Sequence, residues 1–459
     1  MTLISSISGT RGTIGGAVGD NLTPLDVVQF VAAYGTWLTL KSDTRRVVLG
    51  QDARPSGAMM HHLVCGTLMG LGFEVIDLGL STTPTVEVAV PDFAAAGGII
   101  LTASHNPVEW NALKLLNQRG EFVTRKDGLE ILEIHENAYH QFSDVRQLGS
   151  VRQVHDYVDT HIEKILALRL VDKYAIEKVG LKVVVDGVNS SGGVFVPQLL
   201  RALGVTDIVE INCTPTGWFS HNPEPLAENL TDICRYIAEE GADLGIAVDP
   251  DVDRLVLIDN EGKLFGEEYT IVAVADYVLS HTKSSVVTNL SSSRAMRDVA
   301  ERHGCRYHAA AVGEVNVVEI MKRTDALIGG EGNGGVIYPE LHYGRDALVG
   351  IALFLSHLVK SGLNAHELRA TYPEYFMAKR KINLTRGMDI DALLSAFKAQ
   401  HPPEQVTTVD GVKVDFEEAW VHLRKSNTEP IIRVYTEAPT QLAADDLAEQ
   451  VIKELSSMA

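Results

Sequence analysis

The sequence predicts an α/β chain: three related α/β domains with mixed, mostly parallel sheets, followed by a smaller C-terminal α+β domain. Three observations predict it. A unit of strand, turn, helix, glycine stop and strand recurs three times. After about Tyr375 the pattern changes to alternating strands and a hairpin signal. At 459 residues the chain is also too long for one hydrophobic core.

The first copy of the unit begins at Arg46-Val47-Val48-Leu49-Gly50-Gln51-Asp52, an apolar run ending in polar turn residues. A helix follows from Ser56. Leu71-Gly72 closes it, and Phe73 to Asp77 form the next strand. The second copy runs from Lys182 to Gly187, through a helix, to Leu203-Gly204. The third has Val286-Val287-Thr288-Asn289, a helix through Ala295 to Arg302, and His303-Gly304. Strands alternating with helices build parallel sheets covered on both faces. In the tail, Arg380 to Leu384, Ala419 to Leu423 and Ile431 to Tyr435 read as strands. Asp410-Gly411 between two valines is a hairpin signal, and a helix runs from Leu442 to about Ser456. The polar stretch Gln141 to Arg152 and the pair Tyr372-Pro373 mark two boundaries. The expected domains are 1–150, 151–256, 257–372 and 373–459.

Composition narrows the function. The formal net charge is −20, which argues against a nucleic-acid binder and leaves an anionic small substrate to local Arg and Lys clusters. Cys65, Cys213, Cys234 and Cys305 have no CxxC spacing, so neither a zinc site nor a disulfide framework is indicated. The start of the chain lacks a charged segment followed by an apolar one, as a signal peptide would have. No apolar segment reaches the ~20 residues needed to span a bilayer. The expectation is a cytoplasmic protein without a membrane partner; its oligomeric state is not legible.

Four loops carry the chemistry. Thr102-Ala103-Ser104-His105-Asn106-Pro107 follows the buried run Gly98-Ile99-Ile100-Leu101, and Asn-Pro breaks the extended chain. Ser104 therefore stands on a turn at a strand's end. Asp249-Pro250-Asp251-Val252-Asp253-Arg254 follows the apolar run Leu244 to Val248. Its three carboxylates repel unless a cation or basic groups neutralise them. Oxygen-only ligands suit a hard divalent ion, and magnesium fits where a phosphate supplies further oxygen. An EF-hand is excluded, because Arg254 stands where glycine is required and Asn260 where glutamate is required.

Ile328 to Val336 is a glycine-dense loop whose Glu331 and Asn333 offer an acceptor and an amide, a set suited to sugar hydroxyls. It is not a P-loop, since no Gly-Lys-Ser/Thr follows. Gly187 to Gly193 lacks nucleotide-loop spacing and reads as structural. Arg424-Lys425-Ser426-Asn427-Thr428-Glu429-Pro430, with Arg433 on the next strand, is a dense anion-binding set. Ile7-Ser8-Gly9-Thr10-Arg11-Gly12 presents Arg11 to an anion in the same way.

These four loops, in this order, resemble the α-D-phosphohexomutase family, and the resemblance covers essentially the whole chain. It implies four domains around a central cleft. It implies that Ser104 carries a phosphoryl group, and that Asp249, Asp251 and Asp253 hold Mg2+ with the Ser104 group as a further ligand. Arg254 would stabilise transferring charge, and Arg11 and His105 would line the site. Lys114, in Asn111-Ala112-Leu113-Lys114, matches the family's N-G-x-K lysine and would transfer protons if a cationic, partly desolvated site lowers its pKa; Ala112 replaces the usual glycine. Glu331 and Asn333 would read the sugar, and Arg424, Ser426, Asn427, Thr428 and Arg433 its phosphate. The sugar loop departs from the common G-E-x-S-G-H, with Asn333 for serine and Gly335 for histidine, which resembles an archaeal-type branch.

The implied reaction interconverts hexose 6- and 1-phosphates through a hexose 1,6-bisphosphate. The first expectation for the sugar is glucosamine phosphate, with mannose or glucose phosphate as the alternative. Two other classes compete. An aspartyl-nucleophile sugar phosphatase would use Asp251-Val252-Asp253-Arg254-Leu255, with Leu255 where Thr or Val belongs. A non-catalytic sugar-phosphate-binding protein would have no need of Ser104 or the aspartates.

Overall fold

The computed structural model describes residues 2–6, 9–383, 389–425 and 431–458, and the chain divides into two compact units. The first comprises Met1–Val278 and Asn333–Arg369, the second Leu279–Gly332 and Ala370–Ala459. In the first unit, strands β1 (Ile4–Ser6), β2 (Gly9–Thr13), β3 (Arg46–Gln51), β4 (Glu74–Leu80), β5 (Gly97–Leu101), β6 (Trp110–Leu116) and β7 (Ser150–Gln153) form one sheet, in the order β1-β2-β6-β5-β3-β4-β7. The side from β5 to β7 is parallel; β6, β2 and β1 continue it antiparallel.

Alternation along each strand sends side chains to opposite faces. Val47, Leu49, Ile99 and Leu101 therefore join one core with the helices Pro24–Lys41 and Gly57–Gly70. Val48 and Ile100 join another with helix Thr83–Asp92. Both faces are covered, which is why β5 is buried at every position.

A second sheet of the same unit contains β8 (Lys182–Asp186), β9 (Asp207–Ile211), β10 (Leu244–Val248) and β11 (Leu255–Ile258), in the order β11-β10-β8-β9. Strands β9, β8 and β10 are parallel, and β11 is antiparallel to β10. In the second unit, β12 (Val286–Asn289), β13 (Tyr307–Ala310) and β14 (Ile328–Glu331) are parallel, with β12 central. Strand β15 (Gly335–Ile337) belongs to the first unit, where helix Ala347–Ser361 packs on it.

The recurring unit is therefore real and extends further than its first two strands. Helices Gly57–Gly70, Gly192–Ala202 and Ala295–Arg302 each join a parallel pair. Just after each lies a glycine with positive φ: Gly72, Gly204 and Gly304. In each copy a third strand (β5, β10 or β14) pairs with the first strand on its other side. The Ser104 loop follows β5, the aspartate loop follows β10, and Glu331 ends β14. All three chemical loops thus leave the carboxyl end of the same strand of the repeat, where parallel sheets commonly bind ligands.

The remainder of the second unit is an antiparallel sheet of β16 (Phe376–Asn383), β17 (Val406–Thr407), β18 (Val412–Asp415), β19 (Trp420–Lys425) and β20 (Ile431–Ala438), in the order β16-β20-β19-β18-β17. Helices Ile390–Ala399 and Gln441–Met458 bury Leu393, Phe397, Val451 and Leu455 against Val414, Val421 and Val434. Gly411 makes the tight hairpin: its φ is 70°, and a Cβ there would meet Leu423 O at 2.1 Å. The Gly187 to Gly193 stretch packs as structure, since a Cβ on Gly187 would stand 2.2 Å from Gly193 N. Among the described residues no helix is long and apolar enough to cross a membrane.

Candidate active site

Ser104 sits in the turn between β5 and β6 with φ 50°, a left-handed conformation that costs a non-glycine residue about 1–3 kcal/mol and persists only where neighbours over-determine it. The neighbours are identifiable. The Ser104 amide donates to Thr102 Oγ1 at 2.9 Å. The Arg54 guanidinium donates to four backbone carbonyls of the turn: Ser104 at 2.5 Å, Asn106 at 2.6 Å, Pro107 at 2.6 Å and Trp110 at 2.9 Å. Arg54 is anchored by Asp52 Oδ2 at 3.0 Å, and neither side chain is exposed. Burial pushes the Asp52 carboxyl up, while Arg54 and the Thr102 hydroxyl pull it back.

The aspartate loop lies against this turn. Ser104 Oγ donates to Asp249 Oδ2 at 2.7 Å and lies 3.3 Å from His105 Nδ1. Asp249, Asp251 and Asp253 are fully buried, and one carboxylate oxygen from each falls within 4.8 Å of the others. Val252, β-branched, is held at φ 63° in the same loop. Asp249 Oδ1 accepts the backbone amides of Asp253 and Arg254 at 3.2 Å each. Lys114 Nζ, on β6, donates to Asp251 Oδ2 at 2.6 Å and approaches Asp253 Oδ2 at 3.3 Å. Thr83, in the first turn of its helix, donates its hydroxyl to Asp251 Oδ2 at 2.5 Å and its amide to Asp251 O at 2.9 Å. Arg345 donates to Asp253 Oδ2 at 2.7 Å. Gly334, at φ 87°, is pressed against the strand after the loop, where a Cβ would meet Leu255 O at 2.4 Å.

Charge distribution follows from burial. Burial, then the charges of Asp253 and Asp251, push the Asp249 carboxyl well above its ordinary range. Burial acts on Asp253 in the same direction, but Arg345, Lys114 and Arg254 outweigh it and hold the carboxyl well below. Burial and the Arg254 charge push the His105 imidazole well below its usual value, so it is neutral at pH 7. The same two causes lower the Arg11 guanidinium, on β2. Lys114 departs from expectation. Burial lowers it, but Asp251 and Asp253 outweigh burial and raise it above its ordinary value. A cation-rich site would lower it; two carboxylates in contact do the reverse.

The donor set fits a hard cation. Asp251 Oδ1 and Asp253 Oδ1 are buried with no hydrogen-bond partner, a costly arrangement that a bound ion relieves. All three donors are carboxylate oxygens, as magnesium prefers. Arg11, Ser104, His105, Lys114, the three aspartates and Arg254 thus all belong to the first unit. Asn333 is there too, its Oδ1 accepting Gly335 N at 3.3 Å.

The second unit holds the other candidates. Glu331 Oε1 accepts Asn289 Nδ2 at 2.7 Å and Gly313 N at 3.0 Å, so its orientation is set by the ends of β12 and helix Glu314–Thr324. Arg424 and Arg433 are register partners on β19 and β20. Like charges directly opposite are destabilising without a counter-charge. Arg424 Nε meets Asp410 Oδ2 at 2.9 Å, and Arg433 donates to Tyr435 Oη at 3.2 Å. Ser426, Asn427 and Thr428 lie outside the described residues.

Sequence reading missed Arg54, Thr83 and Arg345. The signal for Arg54 was present: Asp52-x-Arg54 directly after a buried strand. Arg345 precedes Asp346, which caps the long apolar helix Ala347–Ser361, but nothing local to it points to Asp253.

Comparison with known proteins covers nearly the whole chain. Residues 5–141, 156–262 and 266–375 match the phosphoglucomutase/phosphomannomutase alpha/beta/alpha domains I, II and III, and residues 380–454 match the C-terminal domain. The chain is 35% identical to a phosphoglucomutase/phosphomannomutase of Thermococcus kodakarensis over 97% of its length and 98% of the relative's. It is 31% identical to a phosphoglucosamine/phosphogalactosamine mutase of Sulfurisphaera tokodaii, covering 98% and 99%. The fold matches a phosphoglucomutase/phosphomannomutase family protein of Burkholderia thailandensis with TM-score 0.84 at 23% identity, covering 99% of this chain and 98% of that one.

Proposed function

The chain belongs to the phosphoglucomutase/phosphomannomutase family of isomerases, and from that premise we propose that it moves a phosphoryl group between O6 and O1 of a hexose phosphate through a phosphoserine at Ser104. The observation that carries this reading is the contact of Ser104 Oγ with Asp249 beside the buried triad. Four segments each supply one loop: 1–150 the serine, 151–256 the aspartates, 257–372 the sugar loop and 373–459 the phosphate-binding arginines.

The transfers balance as follows. The P–Oγ bond of phosphorylated Ser104 breaks as a bond from phosphorus to the free sugar hydroxyl forms, giving a hexose 1,6-bisphosphate. The second transfer returns the other phosphoryl group to Oγ. In the first step the sugar hydroxyl loses a proton and the leaving Oγ gains one; in the second Oγ loses it and the leaving sugar oxygen gains one. His105, neutral and beside Oγ, is the imidazole placed to accept and return it. Asp251 and Asp253, in contact with Lys114, favour its charged form, so we assign it to stabilising the transferring phosphoryl charge, and Arg254 and Arg11 to the same field. Asp249, Asp251 and Asp253 would hold Mg2+, which when bound supplies positive charge to the phosphoryl oxygens. Arg424 and Arg433, opposed on adjacent strands, would share the substrate's other phosphate.

We take glucosamine 6-phosphate as the substrate, a reading supported by the name of the Sulfurisphaera relative. Mannose or glucose 6-phosphate is the second reading, favoured by the name of the Thermococcus relative. The test is conversion of each 6-phosphate to its 1-phosphate with a catalytic trace of hexose 1,6-bisphosphate, with and without chelator. Isomer interconversion that chelation abolishes is expected, with the largest kcat/KM on glucosamine 6-phosphate. Stoichiometric release of free phosphate would instead identify a phosphatase. A glucosamine value well below mannose would reverse the substrate order.

A further inference from the structure

The first unit contains a second cluster of metal-ligating side chains, on segments that also contact the aspartate loop. His161, on helix Tyr157–Leu166, and His342 both direct Nε2 at a single oxygen, Asp346 Oδ2, at 3.1 and 3.3 Å. The other carboxylate oxygen of Asp346 is occupied: Oδ1 caps helix Ala347–Ser361 by accepting Leu348 N and Val349 N. That bond fixes the carboxylate so that only Oδ2 faces the imidazoles. The three donor atoms lie within 4.8 Å of one another. Ligands of a tetrahedral zinc with bonds of about 2.0–2.1 Å stand roughly 3.3 Å apart, close to the two nitrogen–oxygen distances here.

The surroundings have the form of a metal site's support. Imidazole ligands usually have their second nitrogen held by an acceptor, which fixes the ring and leaves the first nitrogen's lone pair for the ion. Here His161 Nδ1 is hydrogen-bonded with Thr85 Oγ1 at 3.0 Å, while His342 Nδ1 is paired with Glu87 Oε2 at 3.3 Å by charge, without hydrogen-bond geometry. Both partners project from helix Thr83–Asp92. The rings meet edge to face, with centroids 6.2 Å apart, so their nitrogen edges converge rather than stack. Gly344 leaves no room for a side chain, since a Cβ would fall 1.8 Å from Glu87 Oε2. His161, Asp346 and Glu87 are buried, while His342 keeps a tenth of its side chain exposed, which offers an entry path.

We propose that His161 Nε2, His342 Nε2 and Asp346 Oδ2 bind a divalent transition-metal ion of zinc's class, at a site separate from the aspartate loop. Two imidazoles and one carboxylate are a borderline-soft donor set that selects zinc or cobalt over magnesium, just as three carboxylates do the opposite. The ion would clasp three segments far apart in sequence: the helix carrying His161, the turn carrying His342, and the capped start of helix Ala347–Ser361, with helix Thr83–Asp92 behind them. Its role is to join these segments, which in turn hold the aspartate loop through Arg345 at Asp253, Ala347 N at Val252 O and Thr83 at Asp251.

The test uses untagged full-length protein freed of metal by chelation, then titrated with Co2+ in a large excess of Mg2+ that keeps the aspartate loop filled. Stoichiometric binding with the visible absorption of nitrogen-ligated cobalt, displaced by Zn2+, is expected. His161→Gln and His342→Gln should each abolish the absorption while circular dichroism confirms folding. Glu87→Gln, which spares the ligands, should weaken cobalt binding by about 10–100-fold. Absence of stoichiometric cobalt binding by the wild-type protein would overturn the proposal. So would an absorption seen only when Mg2+ is left out, or one that persists in His161→Gln. Any of these would leave the cluster a hydrogen-bonded junction only.

Discussion

Ser104 Oγ donates a hydrogen bond to Asp249 Oδ2 at 2.7 Å, across 145 positions of sequence. The hydroxyl thus faces a carboxyl that burial and its acidic neighbours push upward, while Lys114 pairs with Asp251 and Arg345 with Asp253. A serine held in a left-handed turn against such an acid is aimed, not merely exposed.

Ser104→Ala removes the proposed phosphoryl acceptor and little else. Turnover should fall on the order of 10³-fold or more, as when a nucleophile is lost, with thermal stability changed by no more than the loss of one hydrogen bond, about 1 kcal/mol. Intact mass and phosphopeptide mapping of wild-type protein should place phosphate on Ser104. Full activity without phosphate there would end the phosphoserine reading.

Arg54 acts through the turn rather than on substrate. Arg54→Lys cannot donate to four carbonyls and Asp52 at once, and it leaves the buried Asp52 carboxylate poorly matched. Breaking a buried pair costs about 3–5 kcal/mol, so the melting temperature should drop clearly. Phosphate incorporation at Ser104 should slow with kcat while KM for the sugar phosphate changes little. A variant with wild-type melting and wild-type phosphorylation would show that the clamp is dispensable.

Lys114→Met should lower kcat by about 10²–10⁴-fold, the range over which positioned charged groups contribute to transfer. Lys114→Arg keeps the charge and should recover part of it. Because Asp251 and Asp253 hold the ammonium well above pH 7, the wild-type rate should show no loss from Lys114 protonation between pH 6 and 8. A rate that rises with a lysine-dependent step in that interval would restore the general-base role.

Stability should carry a basic limb from a pair remote from the site. His61 Nε2 lies 2.9 Å from Asp77 Oδ2, and that carboxylate, with Cys65 second, raises the imidazole to about 10. A folded value above the unfolded one adds stability that is fully present below about pH 6.5. It is lost progressively as pH rises through the folded value near 10. Melting temperature of the wild type should fall across that window, and His61→Gln should be less stable at pH 6 with a flatter profile. Parallel profiles for the two proteins would rule out this contribution.

What the sequence determined by itself is local. Periodicity and glycine stops specify the strand–helix–strand repeats, because a covered parallel strand must be apolar at every position and a helix must end somewhere. Turn chemistry places Ser104 and the three aspartates at strand ends, since Asn106-Pro107 and the acidic run cannot continue a buried strand. Packing decided the rest. That Lys114 meets Asp251, that Arg345 meets Asp253 and that Arg54 grips the serine turn depends on which strands become neighbours, and no window of adjacent residues contains that information. The charge state of Lys114 belongs to the same class. The two carboxylates that raise the Lys114 amine reach it from the loop after β10, in a different sheet from β6, so only the assembled fold could bring them together.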